Sequence, residues 1–324
     1  MRTNVGIIGA GRVGAVLGAA LARAGHRIVA ASGVSATSKA RIEQLLPGAR
    51  LMPADEVAAA ADLVLLAVPD DALDALVAGL VETGAIRPGQ IIAHTSGAHG
   101  LAVLEPIIKV GAHPLALHPA MTFTGTPADL DRLAHGVSFG VTAPDYLKNL
   151  AERLVKSLGG TVEWIAEEHR PLYHAALAHG ANHLVTLVNE AMDRLRDAGV
   201  RRPERVLAPL LEAALDNTLR LGDAALTGPV SRGDAGTVAK HLKALGSTAP
   251  GSLPPYLALA RRTADRAIAT GRLKPVDAEP LLDVLAANAP RPGARAEAPA
   301  RPVGRTDVPV RPVGQAPKDG ERAA

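Results

Sequence analysis

The chain has 324 residues, 48% of them apolar and 2% aromatic, with no cysteine and a formal net charge of +3. That length suits two domains with a sizeable core; so few rings argue against a stacking platform for single-stranded nucleic acid, and the lack of thiols excludes disulfides and thiolate metal sites and fits a reducing compartment. The positive excess is local, because residues 291–324 hold seven Lys/Arg against four Asp/Glu and leave 28 of each sign elsewhere, so no nucleic-acid partner is implied.

The N-terminal "NVGIIGAGRVG" enters a strand at once, without a signal-peptide layout. No apolar run reaches the roughly 18 residues that suggest a membrane span. A cytoplasmic protein with no membrane partner is expected. Short β-branched runs read as strands at Val5–Gly9, Arg27–Ala31, Leu63–Val68, Gln90–His94, Ala112–His118, Gly136–Val141 and Thr161–Ile165. Helix-period segments lie between them at Val13–Ala24, Lys39–Leu46, Asp71–Val81 and Pro144–Leu158. Apolar strands without in–out alternation belong to a parallel sheet covered on both faces. Residues 1–165 therefore read as a doubly wound α/β domain.

At the end of the first strand, Gly9, Gly11 and Gly14 have the G-x-G-x-x-G spacing. A strand before it and a helix after it are the context that makes this pattern a dinucleotide-binding turn. Gly9 allows the tight turn, Gly11 lets the backbone approach a pyrophosphate, and Gly14 lets helix and strand pack closely. Arg12 and Val13 open the helix whose N–H groups would face the phosphates. An NAD site usually has an acid about 20 residues later. Here "IVAASGVSATSKAR" has none before Glu43 and offers Ser32, Ser35, Ser38, Lys39 and Arg41. Hydroxyls and cations suit a 2′-phosphate, so NADP (NADPH) is the expected cofactor. After the third strand candidate, Val68 and Pro69 fall where the cofactor's ribose would pass. Asp70 reads as a helix N-cap, and His113, inside a strand, as structural.

From Glu167 the strand signal disappears. Helical segments follow at 168–199, closed by Gly199; at 203–221, opened by Pro203; and at 234–245, 253–270 and 277–288. Residues 166–290 read as an all-α domain. Residues 291–324, rich in Pro and Arg, have too little apolar surface to fold and read as a disordered tail.

The first of these helices carries His174, His179, Asn182 and His183 in an otherwise apolar stretch, where each polar group needs a partner if buried. Spacings of three and four place His179, Asn182 and His183 on one helix face. His179 and His183 have the spacing of H-E-x-x-H, but Gly180 replaces the glutamate, so no metal is expected. His174 and His183 read as structural.

The order of a glycine-loop domain and a helical domain resembles the 6-phosphogluconate dehydrogenase-like superfamily, which includes β-hydroxyacid dehydrogenases, pyrroline-5-carboxylate reductase, ketopantoate reductase and prephenate dehydrogenase. The motifs "LHPAMTFTG", "YHAALAHGANHLVTL" and "LTGPVSRGDAGTVAKHL" resemble a family of Rossmann-like proteins whose C-terminal half is known as domain of unknown function 2520. The resemblance covers about residues 3–270. It implies an N-terminal doubly wound Rossmann domain followed by a helical domain like the C-terminal domain of 6-phosphogluconate dehydrogenase. It also puts His179 where β-hydroxyacid dehydrogenases have a proton-donating lysine, and Asn182 where they have a substrate-orienting amide. His118-Pro119 is similar to the His-Pro of prephenate dehydrogenases, with Ser96 in the place of the serine that supports that histidine. The loop around Thr227 and Arg232 is similar to the "TSPGGTT" loop of pyrroline-5-carboxylate reductase and would hold a carboxylate. A salt bridge between Arg232 and Asp234 is the alternative there.

The resemblance implies an NADP-dependent oxidoreductase acting on a small carboxylate-bearing substrate. Hydride would pass between NADPH and a carbonyl or imine carbon, with a ketopantoate-like 2-oxo acid as the leading substrate. His118 or His179 would deliver the proton, Asn182 and Ser96 would orient the substrate, and a homodimer would form through the helical domain. A prephenate-type dehydrogenase and a non-catalytic NADP-binding sensor or assembly protein are the alternatives.

Overall fold

Eight short strands form one sheet in the computed structural model, which describes residues 3–289. They are β1 (Asn4–Ile8), β2 (Arg27–Ser32), β3 (Arg50–Leu51), β4 (Leu63–Leu66), β5 (Ile91–His94), β6 (His113–Pro119), β7 (Ser138–Thr142) and β8 (Thr161–Trp164). The order across the sheet is β3-β2-β1-β4-β5-β6-β7-β8. All neighbours run parallel except β6 and β7, which are antiparallel, with His118 opposite Gly140. This one pair departs from the parallel arrangement of the rest of the sheet. A buried apolar run reads the same in either direction, so the hydrophobic pattern of β7 carried no signal of its reversal. The two-residue β3 was also missed, since both its residues are exposed and it offers no apolar run.

Helices cover both faces, as expected for buried strands. On one side α1 (Arg12–Arg23), α2 (Ala36–Leu45), α6 (Ala128–Ala134) and α7 (Lys148–Ser157) pack Leu17, Leu21, Leu133 and Leu154 against Ile7, Leu65 and Phe139. On the other, α3 (Ala54–Ala60), α4 (Asp70–Glu82) and α5 (Glu105–Lys109) bring Val57, Leu73, Val77 and Ile107 onto Val64, Leu66 and Ile92.

Beyond the sheet, α8 (Arg170–Leu177) runs through a π-turn at Ala178–Asn182 into α9 (His183–Asp197). The chain divides into two compact units between Thr186 and Leu187, inside α9. This division falls well after β8 because α8 is anchored to the strands by Arg170 and Tyr173. The second unit continues with α10 (Pro203–Leu221), α11 (Ala235–Thr248), α12 (Leu253–Ala269) and α13 (Pro275–Ala287). Its core joins Val238 and Leu242 of α11, Leu257, Ala260 and Ala264 of α12, and Leu281 and Leu285 of α13. The tail expected at 291–324 lies outside the described residues.

Candidate functional site

The chain leaves β1 through Gly9, whose φ of +87° lies in the left-handed region and whose added Cβ would sit 2.7 Å from the Ala67 carbonyl oxygen. A Cβ on Gly14 would overlap the Gly9 carbonyl oxygen. Gly11 instead faces open space, with only the Gly9 oxygen at 4.0 Å. No side chain caps α1, so its first backbone N–H groups are available to an external anion. A cavity of about 500 Å³ opens there, lined by Gly11, Arg12 and Val13, and by the residues that follow β4 and β5. Val68, Pro69 and Asp70 come from the first of these turns, and Ser96 from the second. Asp70 is not the N-cap of α4. Pro69, extended at ψ 149°, takes that place, and Asp70 is the first helical residue, where its carboxylate complements the helix dipole.

At the end of β2, the Ser32 hydroxyl accepts from the Gly9 N–H at 3.3 Å. Ser35 caps α2, accepting from the Ser38 N–H at 3.1 Å, and its hydroxyl also bonds that of Ser38. These two hydroxyls therefore belong to the helix start. Ser32 and Lys39 line a cavity of about 360 Å³ with Gly33 and Met52, and among the described residues no carboxylate borders it. Arg41 points elsewhere, since a Cβ on Gly125 would lie 2.6 Å from its Nε and 3.1 Å from Cγ of Arg12. The loop carrying Gly125 is fixed by the buried Asp129, whose carboxylate accepts from the Thr124 and Gly125 N–H groups, each at 2.7 Å.

His118 lies near the carboxyl end of β6, with Nδ1 2.9 Å from the Tyr173 hydroxyl. Burial, followed by the nearby His174 and the Arg170 guanidinium, lowers its pKa to about 4. Ser96 does not support it. The Ser96 hydroxyl accepts from the Ala98 and His99 N–H groups at 3.2 and 3.1 Å, and its carbonyl accepts from Arg170 at 3.3 Å. The serine caps its own turn, and Tyr173 is the hydrogen-bond partner of His118. His94, in β5, is buried and accepts from the Ser96 N–H through Nδ1, which leaves Nε2–H to donate to the Gly100 carbonyl at 2.7 Å. Burial holds its pKa down to about 4. His113 pairs with the Tyr146 hydroxyl at 3.3 Å, on the outer side of the fold.

His174, Leu177, Ala178, Ala181 and Asn182 form the stripe of the α8 segment that faces a cavity of about 410 Å³, closed by His118, Met121 and Thr122. His118 and His174 border this cavity and the glycine-loop cavity alike. His179 and His183 lie farther round the helix, exposed, with their Nδ1 atoms 3.2 Å apart and their rings edge to face. Spacing alone put His179 and Asn182 on a common face. The structure separates them, because the cavity stripe is centred on His174 and Ala178, and Asn182 alone of the three reaches it.

Thr227 and Arg232 belong to the second unit. Thr227 borders a largely apolar cavity of about 440 Å³ beside Tyr256 and Leu259, whereas Arg232 is exposed and not part of that lining. Asp234 does not bridge to Arg232. It caps α11, accepting from the Thr237 N–H at 2.9 Å, and that bond holds its carboxyl below the usual range.

Family models match along both units. Residues 1–119 match a Rossmann-like domain and residues 137–263 a domain of unknown function, DUF2520. The chain thus carries a match to a Rossmann-like domain followed by a match to DUF2520. Among solved structures it is similar to a candidate NADP oxidoreductase of Bacteroides fragilis, with 23% identity over 82% of this chain and 98% of that one and a TM-score of 0.69. A protein of Thermotoga maritima matches at 18% identity, 81% and 99% coverage and a TM-score of 0.64. The pyrroline carboxylate reductase of Plasmodium falciparum, solved with NADP bound, matches at 13% identity, 86% and 98% coverage and a TM-score of 0.52. At these identities the likeness is one of fold. No curated protein matches the sequence significantly.

The residues that sequence reasoning passed over are Tyr173, Arg170, His94 and Gly140. Arg170 is fully buried, and its guanidinium donates to the Thr142 hydroxyl at 2.8 Å and to the Gly140, Ala116 and Ser96 carbonyls at 3.0 to 3.3 Å. A buried cation needs such partners. The only sequence signal was an arginine at the start of an apolar helix.

Proposed function

We propose that this protein is an NADP-dependent oxidoreductase that transfers a hydride between NADPH and the carbonyl or imine carbon of a small carboxylate-bearing substrate. A ketopantoate-like 2-oxo acid is the leading substrate. The observation that carries this reading is the position of His118 and His174, which border both the glycine-loop cavity and the cavity reached by Asn182. A nicotinamide extending from the first cavity would meet a substrate in the second beside an imidazole, as hydride transfer requires.

The chain's own groups fit such a cofactor. The bare backbone at Gly11 and the uncapped start of α1 suit the pyrophosphate. Ser32 and Lys39, in a cavity without a carboxylate, suit a 2′-phosphate. The bound cofactor would supply the hydride. His118 would hydrogen-bond the reacting oxygen or nitrogen, and Asn182 would orient the substrate.

On this reading residues 1–165 bind the nucleotide, while 166–290 complete the substrate site and pair two copies of the chain. The long α10 leaves Leu215 54% and Leu219 78% exposed, one turn apart on the same side, a face that a second copy would cover. Light scattering should then give a dimer, and Leu215→Glu with Leu219→Glu a monomer. Among the described residues no helix is long and apolar enough to cross a membrane, and a cytoplasmic setting is part of the proposal. The deciding assay is NADPH oxidation with a panel of 2-oxo acids and imino acids. Turnover of at least one supports the reading; failure of all, with NADPH bound, favours a sensor.

A further inference from the structure

One charge in the first unit has no use in the function proposed above. Arg170 is fully buried, and all four of its hydrogen-bond acceptors are neutral. Its guanidinium lies 6.0 Å from the centre of the Tyr173 ring. The Tyr173 hydroxyl is seated over Gly140, where an added Cβ would stand 2.5 Å from it. Burial keeps this hydroxyl protonated by raising its pKa, and Arg170 and the Gly140 backbone offset that in part. The phenolic hydrogen then has the His118 Nδ1, 2.9 Å away, as its acceptor.

We propose that Tyr173 positions His118 and is its proton source: the phenol donates to Nδ1, so the neutral imidazole carries its own hydrogen on Nε2, at the border of the two cavities. The Nε2 side is the open one, because Gly97 leaves it room and a Cβ there would lie 3.0 Å from that atom. A neutral Nε2–H is suited to donate a hydrogen bond to a substrate carbonyl oxygen.

The proton path rests on the hydride-transfer reading. A bound NADPH would supply the hydride that forms the new C–H bond, its own C–H bond breaking as it is oxidised to NADP+, and the carbonyl π pair of the substrate would move onto oxygen. The Nε2–H bond breaks as the O–H bond of the product forms. Nδ1 takes the Tyr173 proton, and the negative charge ends on the phenolic oxygen. There the Arg170 guanidinium, 6.0 Å from the ring centre, stabilises it, which gives this buried cation a role.

The test is nitrogen NMR on the full chain without ligand, with the His118 signals identified by their loss in His118→Gln. The expected wild-type pattern has hydrogen on Nε2 and a bare Nδ1. Tyr173→Phe should shift it toward the other tautomer, and Gly140→Ala, which displaces the phenol but keeps it, should do the same. Hydrogen on Nδ1 in the wild type overturns the proposal without needing any variant, and so does a pattern unmoved by Tyr173→Phe. With a substrate in hand, Tyr173→Phe should lower kcat about 10-fold at nearly constant KM and reduce the solvent isotope effect from two transferred protons to one; an unchanged isotope effect also counts against it. Failure of every substrate would sink the hydride-transfer reading, while the tautomer measurement still decides this one.

Discussion

His118 and His179 carry the same side chain into opposite surroundings. His118 ends a central strand, is mostly buried, touches Tyr173 and borders two cavities. His179 sits in a π-turn, exposed, with His183 as its only described partner. Both are candidates for proton transfer by motif and spacing. The difference teaches that an imidazole's chemistry is set by what desolvates it and by what fixes its second nitrogen, neither of which short-range spacing encodes.

The largest effect expected from this contrast is on acid stability. The folded pKa values of His118 and His94 are lowered to about 4, below the usual value of 6.5. Both groups are therefore neutral in the folded chain at pH 7, and the unfolded chain binds more protons as the pH falls. Their stabilising contribution is complete above about 6.5 and is lost progressively down to about 4, by up to about 3 kcal/mol for each. Thermal unfolding followed by circular dichroism from pH 7.5 to 4 should show this loss. His118→Gln should flatten it, with His179→Gln as the exposed control. An equal acid loss in His118→Gln and wild type would break the contrast.

Next in size is turnover. If His118 acts on the reacting group, His118→Ala should lower kcat about 10²-fold or more. NADPH affinity should fall less than kcat, because His118 borders only the inner part of the glycine-loop cavity while the pyrophosphate and 2′-phosphate would be held at Gly11 and at the β2 end. A fall in NADPH affinity as large as the fall in kcat would mean that His118 holds cofactor instead of acting on substrate.

The cofactor end supplies a smaller effect. With Lys39 and Ser32, and no carboxylate, around the cavity at the end of β2, NADPH should bind about 10-fold tighter than NADH, close to 1.4 kcal/mol. Lys39→Ala should remove most of that preference. Calorimetric titration of both nucleotides measures it, and equal affinities in the wild type would remove the case for NADP.

Which parts were legible follows from where the information lies. The glycine turn could be read because Gly9 and Gly14 answer to backbone constraints within a few residues of themselves. Strands and helices came through as local apolar patterns, and the helix ends at Gly199 and Gly271 as positive-φ glycines. The His118 environment draws on β6, β7 and α8, and joins residues 22 and 55 positions apart in the cases of Gly140 and Tyr173. No local pattern marks Gly140 as the seat of a phenol. The reversal of β7, which puts Gly140 opposite His118, left no trace in its buried apolar run. Ser96 was placed at the correct strand end, but its hydroxyl is held by its own turn.

The smallest effect separates the neighbours Asn182 and His179 on one helical segment. Asn182 borders the cavity that His118 closes, and His179 does not. An orienting amide acts mainly through substrate placement, so Asn182→Ala should raise KM and lower kcat/KM by about 10-fold, or 1.4 kcal/mol. His179→Ala removes a solvent-exposed ring whose one hydrogen-bond partner among the described residues is His183, so kcat/KM should stay within about twofold, in line with an ordinary surface change. Steady-state kinetics on both variants decides between the motif and the geometry. Should His179→Ala lose more than Asn182→Ala, the helix must turn its other face to the substrate in the working protein, and the lysine-like role that the family resemblance gives His179 would stand.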